Sequence, residues 1–138
     1  MEKRIFKADT KELDNLFEYS SQILKTLLFS SHDIIMINTA LEEIFVNVAH
    51  YAYENHDDNA VVEVYLDNDQ KKVVFIFRDS GTPFNPLEKE DPNITMNSQD
   101  REIGGLGIYM VKNIMDETTY EYINHHNVLT LVKYRNNK

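Results

Sequence analysis

The chain has no cysteine, which excludes a disulfide framework and any thiolate metal site. It has no apolar run approaching the length of a membrane span, and no short apolar region of the signal-peptide kind near its start. Basic residues are scarce. Lys and Arg number 14 against 23 Asp and Glu, for a net charge of −9. A nucleic-acid binder needs clustered positive charge to replace counterions, so that class is excluded. An anionic membrane surface is excluded on the same ground. Acidity of this size otherwise serves solubility. Together these absences lead us to expect a cytoplasmic protein.

Glycine and proline are also rare, with four and three copies. All seven lie between residues 81 and 107. Glycine is needed where the backbone takes positive φ or where another group must come close. Their clustering therefore marks one stretch as conformationally special. At 138 residues the chain is expected to form a single domain (1–138), and it can bury roughly two-thirds of its unfolded surface. A composition of 42% hydrophobic and 27% charged residues is that of an ordinary globular domain.

Residues 3–8 read as a short strand. Asp9 and Glu12 have the spacing of a capping box, and apolar residues from Leu13 to Leu28 recur at helical intervals, predicting a helix to about residue 29. Ser30-Ser31 interrupts it. A second helix is expected over about 32–54, with Ile34, Ile37, Leu41, Ile44, Phe45 and Val48 as its buried stripe. Strands follow at 61–67 and 72–77. The second is almost wholly apolar, so it is expected to be central and covered on both faces. Residues 79–103 form a long polar loop, of a length that is usually functional. A third helix at 104–116 and a hairpin of strands 118–124 and 128–134, turning at His125-His126-Asn127, complete the chain. The element order predicts an α+β fold, a two-layer α/β sandwich whose largely antiparallel sheet carries helices on one face.

Three groups of residues are suited to chemistry. Glu43 and Asn47 stand one turn apart on the second helix, off its apolar stripe and flanked by Ala40, Val46 and Tyr51. A carboxylate beside a carboxamide suits a hard cation, or a general base beside a metal ligand; it equally fits a solvated helix face. Asp79-Ser80-Gly81 follows the apolar strand. It reads either as a turn or as a carboxylate fixed to accept from an amino group. Gly104-Gly105-Leu106-Gly107 opens the third helix, where free N–H groups attract anions. No Lys-Ser/Thr follows it, so it is not a Walker loop, and it does not follow a strand as a dinucleotide fingerprint would.

In this order and spacing, three segments resemble the N, G1 and G2 boxes of the GHKL (Bergerat-fold) ATPases. They are EEIFVNVAHYAY (42–53), DSGTPFNP (79–86) and REIGGLGI (101–108). The chain is most similar to the small anti-sigma-factor serine protein kinases, the RsbW- and SpoIIAB-like branch. This resemblance covers essentially the whole chain and implies the Bergerat fold, with ATP and Mg²⁺ as cofactors. It implies that Asn47 holds the metal, that Asp79 takes the adenine amine and that Gly81 admits the base. Gly105 and Gly107 would bring N–H groups to the phosphates. Gly104 and Leu106 belong to the same cofactor-binding set. Residues 87–103 would form a lid over the nucleotide, with Arg101 meeting a phosphate.

The resemblance also assigns Glu43 as the catalytic residue. Histidine-kinase domains of this superfamily usually carry Asn at that position, whereas ATPases and serine kinases carry Glu. Glu42, about 100° around the helix, is the poorer base. One departure is His50-Tyr51, where many members have a basic residue followed by His. The expected activity is a protein serine/threonine kinase acting on an antagonist protein of STAS type. A sigma factor is a second expected partner and the homodimer the expected assembly, with no nucleic acid and no membrane. A nucleotide-gated binding switch and a simple ATP hydrolase are the alternatives. Retention of Glu43 favours chemistry over mere binding.

Overall fold

The structure is a computed structural model that describes residues 2–52, 61–68, 71–88 and 105–135. Its elements are β1 (Glu2–Lys7), α1 (Leu13–Thr26), α2 (Ser31–Asn47), β2 (Val61–Asn68), β3 (Lys72–Asp79), α3 (Gly105–Ile114), β4 (Glu117–Ile123) and β5 (His126–Tyr134). The five strands form one antiparallel sheet in the order β1-β2-β3-β5-β4. The three helices cover one face of it. Phe6, Val62, Val64, Val73, Phe75, Phe77, Leu129 and Leu131 from the sheet join the helical residues in a single core. This is the expected two-layer α+β sandwich.

β3 is central, as its apolar run implies, but it is not covered on both faces. Burial alternates along it, with Val73, Phe75 and Phe77 buried and Val74 and Ile76 only half-buried. Among the described residues all three helices lie on the same side, so the second face stays partly open.

The start of α1 departs from a capping box. Asp9 does cap, but its carboxylate accepts from Lys11 N at 2.9 Å and starts a short 3₁₀ turn, Thr10–Glu12. Glu12 does not reach back. Its Oε1 accepts from Asn15 Nδ2. At the next helix Ser30 is the N-cap, with Oγ accepting from Asp33 N at 3.1 Å. α1 and α2 are pinned by a polar bridge in which Ser20 donates to Asn38 Oδ1 and Asn38 Nδ2 donates to Ser21 Oγ, at 2.8 and 2.9 Å.

The end of the sheet caps two helices. Lys133 Nζ donates to Ile114 O at the end of α3, and the Arg135 guanidinium donates to Leu27 O at the end of α1. A cation at a helix C-terminus meets both the free carbonyls and the negative end of the dipole.

α1 ends at Thr26 rather than 29. Phe29 N bonds back to Leu24 O, the long-range bond of a Schellman motif. This forces Leu28 to φ 64°, and its side chain is 78% exposed. Its expected place on the apolar stripe is therefore corrected. A leucine there bears the steric cost of the left-handed region and gains little burial in return. Leu28→Gly should stabilise the protein by about 0.5–1 kcal/mol, read as a higher melting temperature.

Candidate functional site

α2 ends at Asn47, and the chain continues as one π-helical turn, Val48–Ala52. Such turns often occur where a helix carries functional side chains. The expected helix to residue 54 is thus shorter and distorted at its end. His50 is exposed on this turn.

Asn47 is 5% exposed, so it is no part of a solvated face. Its Nδ2 donates to Glu43 O at 2.6 Å. A carbonyl accepts only from the amide nitrogen, which fixes the carboxamide and turns Oδ1 to the other side. Glu43 itself is half-buried. Loss of hydration pushes its carboxyl above the ordinary carboxylate range, and the adjacent Glu42 pushes it further.

Glu43 packs against Gly107 in the first turn of α3. A Cβ on Gly107 would lie 2.6 Å from Glu43 Cδ and closer still to Oε2. No side chain fits there, so glycine at 107 is a steric requirement for bringing α2 and α3 together with this carboxylate between them. Gly105 is the first residue of α3 and Leu106 the second. Gly104 and Arg101 lie outside the described residues, as does the expected lid beyond residue 88.

The second part of the site stands at the end of β3. Asp79 is the last residue of that strand and only 3% exposed. Its Oδ1 accepts from Gly81 N at 2.9 Å, closing an Asx turn, and from Asn127 Nδ2 at 3.0 Å. Burial nevertheless raises its carboxyl above the usual value, against the lowering by those two donors and by nearby His126.

Asp79 lines an open cleft. Val48, Phe77 and Leu129 supply apolar wall, and Phe84, Pro86, Tyr120 and Asn127 complete it. A mostly apolar cleft with a few fixed polar groups is the usual form of a site for a flat organic ligand. Val48 joins the two parts of the site, since it lines this cleft and directly follows Asn47.

Asn127 and Tyr120 were not legible as site residues. The expected turn at 125–127 is displaced. Asn124 and His125 form it, at φ 54° and 63°, the pattern of a two-residue type I′ hairpin. β5 therefore begins at His126, and Asn127 pairs directly with Asp79 across the ladder. The available signal was Asn124, a residue type that tolerates positive φ.

Comparison with known proteins agrees with this architecture. Residues 6–133 match the family described as histidine kinase-like ATPase domain. The chain is 28% identical to the serine-protein kinase RsbW of Staphylococcus aureus strain JH9, over 74% of this chain and 71% of that protein. The RsbW of strain Newman gives the same figures. Among solved structures, the nucleotide-free catalytic domain of the histidine kinase ThkA has a similar fold. Its TM-score is 0.50 at 14% identity, covering 98% of this chain and 99% of that one.

A buried carboxyl with a raised pKa burdens the fold. Between the unfolded and folded pKa values the folded state binds more protons, so stability falls as pH rises through that window. Above the folded value the cost is fully present. Asp79→Asn keeps an oxygen for Gly81 N and Asn127 Nδ2 while removing the charge. It should melt above wild type at pH 7, with the difference closing at pH values below the ordinary carboxylate range. Thermal melts across pH check this.

Proposed function

The chain belongs to the histidine kinase-like ATPase domain family, and from that premise we propose that it is an ATP-dependent protein serine/threonine kinase. The observation that carries this reading is the Glu43 carboxyl, raised in pKa and set against the first turn of α3. A general base for a hydroxyl at neutral pH needs a carboxylate made more basic than usual. It must also stand next to the place where phosphate is held, and a helix N-terminus is such a place.

The residues present fit a nucleotide with a divalent cation. The cleft at Asp79 takes the base, with the carboxylate accepting from the adenine amine and Gly81 leaving room beside it. Asn47 offers a fixed Oδ1 to Mg²⁺. Gly105 and Gly107 present backbone N–H groups to the phosphates, with Gly104, Leu106 and Arg101 assigned to the same set. When bound, Mg²⁺ offsets phosphate charge. Glu43 orients the acceptor hydroxyl and takes its proton. The apolar walls keep water from the base. Positioning and electrostatics carry most of the rate in chemistry of this kind.

We assign the acceptor hydroxyl to a partner protein. The resemblance to anti-sigma-factor kinases supports an antagonist of STAS type as that partner, a sigma factor as a second one, and a homodimer as the working assembly. The similarity to RsbW, named a serine-protein kinase, supports the choice of serine. A cytoplasmic location accords with that role.

Glu43→Gln keeps the shape and loses the basicity. It should hold Mg-ATP within a few-fold of wild type while turnover falls by about two to four orders of magnitude. Asn47→Ala should weaken both. In wild type the rate should fall as pH drops through the raised Glu43 pKa, at a pH above the ordinary carboxylate range, and Glu43→Gln should lack that limb. Phosphate release and partner phosphorylation are to be followed in one reaction. Release without any phosphorylated partner makes the protein a hydrolase. Nucleotide-dependent partner binding with neither activity makes it a switch.

Asp79→Asn should weaken ATP roughly tenfold or more, since a donor then faces the adenine amine and a buried mismatch costs about 1–3 kcal/mol. Calorimetry on the folded variant measures this.

A further inference from the structure

A carboxamide has two N–H donors and two acceptor positions. In Asn127 all four are used inside the protein. Oδ1 accepts from Phe84 N at 3.0 Å and from the Tyr120 hydroxyl at 2.5 Å. Nδ2 donates to Asp79 Oδ1 and to Thr82 O, each at 3.0 Å. The amide cannot be turned round. Phe84 N–H only donates and Thr82 O only accepts, so a flip would set like against like at both ends. Asn127 is 5% exposed and has no capacity left for a ligand.

Its effect falls on Asp79. Oδ1 of that carboxylate already takes two donors, Gly81 N and Asn127 Nδ2. Oδ2 is then the oxygen that Asp79 offers to the cleft. A carboxylate held in this way is a pure acceptor there. An amine N–H pairs with it, whereas a carbonyl in the same place meets acceptor with acceptor. Asn127 also grips the loop after β3 at Thr82 and Phe84, and Phe84 is itself part of the cleft wall.

We propose that Asn127, held by Tyr120, is a positioning residue that fixes which oxygen of Asp79 meets the ligand, and thereby makes the cleft select a purine bearing an exocyclic amine over one bearing a carbonyl at that position. The inference rests on the assignment of Asp79 to the adenine amine. Loss of Asn127 removes one of the two donors that hold Oδ1. The carboxyl is then free to rotate, and the anion loses support. A carboxyl that rotates or protonates accepts from an amine or donates to a carbonyl, and the distinction between the two bases disappears.

ATP and ITP test this, because hypoxanthine replaces the adenine amine with a carbonyl on the same purine ring. Affinities for both, with Mg²⁺, are measured by calorimetry on wild type, Asp79→Asn, Asn127→Ala and Tyr120→Phe. Wild type should prefer ATP by tenfold or more. Asn127→Ala should lose most of that preference through weaker ATP binding, with ITP within about twofold of wild type. Tyr120→Phe, which removes only the hydroxyl, should reduce the preference by a few-fold. If Asn127→Ala weakens both nucleotides equally and keeps the ratio, Asn127 is only part of the wall and the proposal is overturned. If that variant does not fold, an unchanged ratio in folded Tyr120→Phe overturns it instead. A wild-type preference that survives Asp79→Asn refutes the adenine assignment itself, and the proposal falls with it.

Discussion

Asp79 places an ionisable group where almost no water reaches it. A carboxylate in that setting is tolerated only if N–H groups are directed at it. One comes from the turn that follows, at Gly81, and the other from a different strand, at Asn127. The second donor is present only because β3 and β5 pair in a register that sets residue 79 opposite residue 127. The two-residue turn at Asn124-His125 ends where β5 begins, one residue before Asn127, and sets the register of β4 on β5. Tyr120 then reaches Asn127 from β4, the strand on the far side of β5. The order of strands, the length of one hairpin and the shape of the loop after β3 are thus tied together by the need to hold one buried charge.

The other end of the site is governed by shape. α2 and α3 meet where Gly107 has no side chain, and the gap is filled by the Glu43 carboxyl. Asn47 follows one turn later, its amide tied to the backbone carbonyl of Glu43 itself. Val48 follows directly and enters the wall of the cleft. Six consecutive residues, the end of α2 and the first residue of the turn after it, therefore carry the proposed general base, the proposed metal ligand and part of the proposed adenine pocket. The π-helical turn that begins at Val48 marks where regular helix gives way.

What the sequence revealed follows from how local each signal is. Helical spacing put Glu43 and Asn47 on one face, and both sit at the α2–α3 end of the site. The Asp79-Ser80-Gly81 turn was readable because an Asx turn is made within three residues. The steric role of Gly107 was not readable, since it depends on a residue 64 positions earlier in space-filling contact. Asn127 was hidden for a similar reason. Asn124 hints at where the turn lies, but that residue 127 then stands opposite residue 79 is settled by the pairing of β5 with a strand 48 positions earlier, and no local signal carries that. The apolar run of β3 correctly predicted a central strand. It overstated coverage, because Val74 and Ile76 resemble core residues whichever face they occupy. The capping box at Asp9 failed because a 3₁₀ turn placed Lys11 N, not a later amide, within reach of the carboxylate.

The pairing of Asp79 with Asn127 spans 48 residues of chain. At synthesis rates of roughly 5–20 residues per second, the first partner is made several seconds before the second. During that interval β1, β2 and β3 have their sequence but the carboxylate lacks the strand that steadies it. The ligand end of the molecule is therefore completed only when β4 and β5 fold back beside β3. A ribosome-bound chain with all of its glycines already made would still have no finished cleft, and competence for nucleotide would come with the closing hairpin.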